Sequence, residues 1–468
     1  MSFGQRARWA LGAVLCLGLN AEAQTQTPPS PSAAQSQPSQ ASLGVAVQRG
    51  QLANGLRVVL SPDHSVPTVA IALYYDVGSR AEETGRSGFA HLFEHLMFEG
   101  TASLPKGEFD RLLSVHGADS NATTSEDRTN YYEMLPAQSL ELGLWLEADR
   151  MAGLAITEEA FENQRLTVME ERRQSYQNQP YMLSFLRRDA LFYEGYFPYA
   201  HATIGDQVDL EMPGVAPREQ LARVRAFHTR FYAPDNAVLA LAGDFDPEAA
   251  MALIRRHFDP ITRRRGEVWR DPGFTPPSGE RVAQIGDAHA EAPGLHMAWH
   301  VPPRRSPDHY AIELLNHVLS GGDSSRLYRR LVREREILAE VEMGAEGRRG
   351  PDIWALWAVL SAGHSLAEAR REIDLVLADV VARGVTAREL AKARNAVRAG
   401  LVFRLERPLQ RAQTLAEYEL YDGDAGLLNG ELARFEAVTL ADLQRVARQY
   451  LTASNRLVLE VIPEESAR

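Results

Sequence analysis

Three stretches of this 468-residue chain occur twice, and the second copy of each lies about 220 residues after the first. Phe231-Tyr232-Ala-Pro-Asp-Asn236-Ala-Val-Leu-Ala-Leu returns as Gln449-Tyr450-Leu-Thr-Ala-Ser-Asn455-Arg-Leu-Val-Leu. Thr157 to Glu171 returns as Thr386 to Gly400, with Arg165 over Arg394 and Val168 over Val397. Phe89 to Gly100 returns as Ala311 to Gly322, and there His95 falls on His317. A chain that repeats itself at this spacing folds as two copies of one layout, since a single core of this length would be unusually large. Within the first copy, strand-like runs at Leu56–Ser61, Thr68–Val77, Ala118–Thr124, Asn130–Leu135 and Ala237–Ala242 are separated by helical blocks. The layout expected is an α+β layer in which helices cover one face of a sheet. The first domain is placed at 46–262, a linker rich in Arg, Pro and Gly at 263–280, and the homologous second domain at 281–468.

The first residues read as a targeting segment. Arg6 and Arg8 precede an apolar run from Trp9 to Leu19, and Ala21-Glu22-Ala23 fits a small-x-small cleavage site. The run is far short of the roughly 20 residues a bilayer span requires. A signal peptide is expected at 1–23 and a disordered Gln-, Pro- and Ser-rich leader at 24–45, giving an exported protein, periplasmic or secreted, with no transmembrane segment after cleavage. Cys16, the single cysteine, lies in that signal, so the mature protein has neither disulfides nor a thiolate for a metal. The net charge of −12 excludes the basic face of a nucleic-acid binder.

Chemistry concentrates in Gly88-Phe-Ala-His91-Leu-Phe-Glu94-His95-Leu-Met-Phe-Glu-Gly100. On a helix, positions i and i+4 stack on one face, so His91 and His95 can grip one metal ion. Glu94 edges the same face and can reach a water held there. The order H-x-x-E-H is the inverse of the zincin motif H-E-x-x-H. In the second copy His91 becomes Glu313 and Glu94 becomes Asn316, so packing alone does not demand these residues. A hydrolytic zinc site takes three protein ligands and leaves one position open. The third ligand is sought on the helix expected over Glu158–Tyr176, where Gln164, Val168 and Glu171 share a face and Glu170 points about a hundred degrees away. From the residues alone, Glu170 and Glu171 both stay open.

His91-x-x-Glu94-His95 followed by Val168-Met-Glu-Glu171 resembles the pitrilysin/insulinase zinc peptidases, which include the mitochondrial processing peptidase. The likeness extends through Gly117–Thr123, Arg128–Pro136, Asn163–Gln174, Pro198–Gly205, Tyr232–Gly243 and the duplication. It implies two homologous domains, each a mostly antiparallel sheet packed with helices. It also implies a zinc-dependent metalloendopeptidase with one Zn2+ per chain on His91, His95 and Glu171, and Glu94 as general base. Ser120-Asn121-Ala122-Thr123 resembles the edge strand to which an extended peptide or unfolded segment pairs, which makes Asn121 and Ala122 substrate-binding. His201 also matches a family position and is taken as a non-ligand. Family members active alone carry in the second half an Arg and, seven residues later, a Tyr that hold substrate. Here Arg333 fits the Arg, but Glu340 stands at the Tyr position, and Tyr328 lies on the wrong side of the Arg. A carboxylate cannot donate to an oxyanion at neutral pH. The resemblance therefore implies that the site either works without that Tyr or is completed by pairing, as a homodimer or a heterodimer with a related chain bearing the Arg/Tyr set. The alternative, a non-catalytic scaffold subunit, is disfavoured by the intact ligand set.

Overall fold

The computed structural model describes residues 42–262 and 268–464. The expected signal peptide, most of the expected leader and the start of the linker lie outside those residues. The first half builds a six-stranded sheet from β1 (Gln48–Gln51), β2 (Arg57–Pro62), β3 (Thr68–Tyr75), β4 (Asp119–Thr124), β5 (Thr129–Pro136) and β6 (Ala237–Gly243). The second builds a five-stranded sheet from β7 (Arg281–Asp287), β8 (Gly294–Val301), β9 (Leu338–Ala345), β10 (Asp352–Leu360) and β11 (Arg456–Pro463). Their orders are β1-β2-β6-β3-β5-β4 and β7-β11-β8-β10-β9. Without β1, which the sequence reading did not include, the two orders coincide strand for strand. Each holds a single parallel pair, β2 with β6 and β7 with β11, and every other pairing is antiparallel.

Aligned residues do the same work in both halves. Thr157 and Thr386 each cap a helix by accepting the backbone N–H three residues on. Asn236 Nδ2 donates to the carbonyls of Phe231 (2.8 Å) and Asp76 (3.2 Å), and Asn455 Nδ2 donates to Tyr450 (3.2 Å) and His300 (2.9 Å). Both asparagines tie the strand that follows to the helix before it. Arg165 donates to the carbonyl of Leu210, and Arg394 to those of Glu436 and Val438, so each ties its helix to a distant segment.

The expectation that helices cover one sheet face is corrected: both faces are covered, and the second cover is exchanged between halves. On β3, Val69, Ile71, Leu73 and Tyr75 face the core of their own half. Ala70, Ala72 and Tyr74 alternate to the other face, where they meet Leu415, Ala416 and Leu420 of the second-half helix Pro408–Asp422. Alanines on the sheet and at Ala412 and Ala416 let that helix approach closely. In return Phe192, at the end of the first-half helix Met182–Phe192, packs with Tyr193, Tyr196 and Tyr199 on Ala298, Ile353, Ala355 and Leu457 of the second sheet. The signal was present in the near-continuous apolar runs TVAIALYY and GLHMAWHV, which suit strands buried on both faces. Residues 42–45 run along the same seam, with Val45 N–H and C=O both bonded to the Asn429 side chain (2.8 and 2.9 Å).

Because each half completes the other's core, the two should unfold together. Leu415→Ala, which opens a cavity in the exchanged interface, is expected to cost about 2–5 kcal/mol. A single calorimetric transition should move to lower temperature as a unit; two resolved transitions would contradict the exchange.

Candidate active site

The helix Phe89–Leu96 carries His91, Glu94 and His95, with Phe89, Leu92, Phe93 and Leu96 buried beneath it. The helix Glu158–Arg172 carries Glu171 over buried Ala160, Phe161 and Val168. Between the two helices, Glu171 Oε2 lies 3.7 Å from His91 Nε2 and 3.3 Å from His95 Nε2. The two imidazoles meet edge to face, with centroids 4.9 Å apart. Among the described residues this is the one group of three His, Cys, Asp or Glu side chains whose ligand atoms all fall within 4.8 Å of one another. Glu170, left open by the sequence, points to solvent and is held by Arg173 and Gln174 (2.8 and 2.5 Å).

The contacts leave room for a shared cation. Bonds of about 2.0–2.1 Å from zinc to nitrogen or oxygen set tetrahedral neighbours about 3.4 Å apart. The two separations from Glu171 Oε2 bracket that value. The donor set, two imidazoles and a carboxylate, is that of hydrolytic zinc.

Neighbouring groups fix one ring directly. His95 Nδ1 lies 3.2 Å from Gln164 Oε1, which leaves Nε2 for the cluster; Gln164 Nε2 in turn donates to Glu99 Oε1 (2.5 Å), and Glu99 pairs with Lys106 (2.7 Å). Gln164 stands two helical turns before Glu171, a spacing that marks it as sharing the face but not as His95's partner. Burial lowers the proton affinity of His91, against the pull of Glu94 and Glu171. His95 is raised: burial opposes, but the hydrogen bond and charge of Glu171 prevail, with Glu94 and Gln164 assisting. Glu171 is held below its ordinary value, chiefly by its bond to His95. Glu94 is half-buried on the same helix, close enough for its charge to act on both rings.

The segment from Gly205 through the short helix Gln207–Glu211 holds the helices of His91 and Glu171 in place. Asp209 Oδ2 accepts from Ser87 N (2.9 Å) and Ser87 Oγ (2.6 Å), and Gly88 meets Gly205 so closely that a Cβ on Gly205 would lie 2.5 Å from Gly88 Cα. Arg172 Nε donates to Gly205 O (2.8 Å) and Arg165 Nη1 to Leu210 O (3.4 Å). The same few residues thus anchor the first turn of one helix and two arginines of the other. His201 is outside the cluster; its Nε2 lies 2.9 Å from Glu82 Oε2.

The remaining expected residues lie apart from this cluster. Asn121 and Ala122 are on β4, an edge strand bonded to β5 alone and packed against the motif helix. Ala122 N–H donates to Asn121 Oδ1 (2.7 Å). Arg333 is exposed, paired with Asp323 (2.9 Å) and set over Tyr328, and Glu340 is exposed on β9, the matching edge of the second sheet. At the second copy's counterpart of the cluster, the Lys392 ammonium lowers the proton affinity of His317, already lowered by burial, and no carboxylate stands at Gly400.

Two family models match the chain, the second of them beginning within the first half, ahead of β6. Residues 57–196 match the family described as Insulinase (Peptidase family M16), and residues 219–397 match that described as Peptidase M16 inactive domain. Zinc protease PqqE of Helicobacter pylori is 29% identical over 85% of this chain and 89% of its own length. An uncharacterized zinc protease of Mycobacterium tuberculosis is 30% identical over 89% of this chain and 93% of its own. The crystal structure of a protease from Helicobacter pylori superposes with a TM-score of 0.84 at 27% identity, covering 90% of this chain and 100% of that one. The periplasmic protease PqqL of Escherichia coli shares the fold at 20% identity and a TM-score of 0.74, and this chain, 90% covered, spans 48% of it.

The His95–Glu171 pair makes stability of the metal-free protein depend on pH. Glu171, depressed, contributes above its ordinary value of 4.5 and loses that contribution as pH falls through its folded value. His95, raised, contributes fully below its ordinary 6.5 and loses it as pH rises through its folded value. In thermal melts of chelator-treated protein, the excess stability of wild type over Glu171→Gln should peak between pH 4.5 and 6.5. An excess that grows from pH 6 to pH 8 would contradict the pairing.

Proposed function

Because the chain belongs to the insulinase family of peptidases (family M16), we propose that it is a zinc-dependent metalloendopeptidase acting on extended peptides or unfolded segments. The observation that carries this reading is the approach of Glu171 Oε2 to both imidazole Nε2 atoms at separations suited to one tetrahedral cation. His91, His95 and Glu171 would hold the ion, one per chain. Zinc there supplies a Lewis acid that makes water nucleophilic near neutral pH and polarises a peptide carbonyl.

The chain's own residues supply the proton transfers and the binding. Glu94, outside the ligand set, takes the proton of the attacking water and returns it to the leaving amine. The free edge of β4, at Asn121 and Ala122, lies beside the motif helix and suits an extended peptide added as a further strand. Arg333 is assigned to hold substrate, and among the described residues no hydrogen bond or ion pair links it to the cluster of its own chain. The missing Tyr favours pairing of two chains, as a homodimer or with a related chain that brings the Arg/Tyr set. PqqL, about twice this chain's length, supports such pairing of units. Export rests on residues 1–23; among the described residues no helix is long and apolar enough to cross a membrane.

Glu94→Gln is expected to keep one zinc per chain by metal analysis while kcat on a quenched peptide falls at least about 100-fold. Normal turnover in that variant would remove Glu94 from its role. Chelation should abolish cleavage in the wild type and added zinc restore it; cleavage indifferent to chelator would exclude the metallopeptidase reading.

A further inference from the structure

The motif helix starts on a buried glutamate–histidine pair that the proposed reaction does not itself use. Glu82 lies six residues ahead of Gly88, with its side chain fully shielded from solvent. Its Oε2 accepts the Gly88 N–H (2.8 Å) and its Oε1 the Ala90 N–H (2.7 Å), two of the amides that a helix start leaves unpaired. His201 Nε2 stands 2.9 Å from the same Oε2, and His201 Nδ1 stands 2.6 Å from the carbonyl oxygen of Phe197. A carbonyl oxygen only accepts, so Nδ1 donates to Phe197, and one further proton is shared between Nε2 and Glu82 Oε2. Stacked on Phe197 at 4.1 Å, the ring is almost as buried as its partner. A buried pair of this kind is tolerated only where hydrogen bonds meet its remaining needs, and here they do.

Two further observations connect the pair to the cluster. His95 has Gln164 to fix its ring, but His91 Nδ1 is buried with no protein partner among the described residues. A ligand histidine usually has its far nitrogen held by an acceptor. His91 must take its orientation from the backbone it hangs from, and that backbone begins at the amide of Ala90, held by Glu82. The second copy supplies a contrast. Its equivalent helix, His309–Ser320, begins after Asp308, whose carboxylate goes to Arg445 (2.6 Å) and the Tyr450 hydroxyl (2.8 Å) and caps no helix amide. The pair is found where the ligands are.

We propose that Glu82 and His201 are positioning residues for the metal cluster, fixing the first turn of the motif helix so that His91 Nε2 is aimed at the site. This rests on the zinc reading above. The test measures zinc affinity of the purified full chain by competition with a chelating dye, alongside kcat and KM on a quenched peptide and the melting temperature of the metal-free protein. Glu82→Gln places an NH2 against a helix amide; His201→Gln removes the imidazole and leaves the carboxyl group and its two amide bonds. Both are expected to weaken zinc binding about 10–100-fold and to lower kcat with KM unchanged, while Asp308→Asn in the second copy leaves zinc affinity within about twofold of wild type. If Glu82→Gln does not fold, His201→Gln decides the matter. Variants that melt earlier yet bind zinc as tightly as wild type would overturn the positioning role alone. A wild-type chain that takes up no zinc would overturn the zinc reading with it.

Discussion

Two helices far apart in sequence bring two imidazole nitrogens and a carboxylate oxygen together at one point, a requirement that governs the arrangement of the first half. The tolerance is narrow, since Glu171 Oε2 stands 3.3 and 3.7 Å from the two imidazole nitrogens. Helix packing by apolar side chains alone fixes such distances poorly, because neighbouring helices slide at small energetic cost. Here the sliding is opposed by polar anchors on the segment between Gly205 and Leu210, which binds Ser87 and Gly88 of one helix and Arg165 and Arg172 of the other. The Gly88–Gly205 contact leaves no space for a side chain on either residue. Both glycines adopt positive φ, 89° and 81°, so each is also favoured by its backbone conformation.

The second half shows the same fold relieved of that requirement. It retains the strand order, the threonine-capped helix and the asparagine tether, but Lys392 puts an ammonium near the retained histidine and Gly400 replaces the carboxylate. Its contribution to the first half is structural. The helix Pro408–Asp422 covers the outer face of the first sheet. Arg349 reaches across to Asp76 with its side chain (2.6 Å) and donates its backbone N–H to Asp127 (3.0 Å) at the end of the hairpin that contains β4. A copy without ligands is thus still needed to complete the core beneath the one that has them.

Much of this was legible in the sequence where local spacing determines geometry. The i, i+4 histidines, the face shared by Gln164, Val168 and Glu171, and the duplicated Tyr232/Asn236 and Tyr450/Asn455 pattern all follow from periodicity and repetition. What could not be read depends on long-range approach. Nothing around Glu82 marks it as the cap of a helix six residues on, and nothing near His201 marks it as that carboxylate's partner. Gly205 reads as an ordinary turn glycine until Gly88 is seen against it. The exchange of helices between halves was visible only indirectly, in strands apolar on both faces. The choice between Glu170 and Glu171 turned on helix rotation: the structure turns Glu170 out to Arg173 and brings Glu171 to the rings.

The proposed chemistry needs one ion between these two helices. An anomalous difference map collected at the zinc edge from crystals of the purified chain would locate it. A single strong peak per chain is expected, bounded by His91 Nε2, His95 Nε2 and the Glu171 carboxylate. A zinc-loaded crystal with no peak there, or with its peak held by other residues, would contradict it.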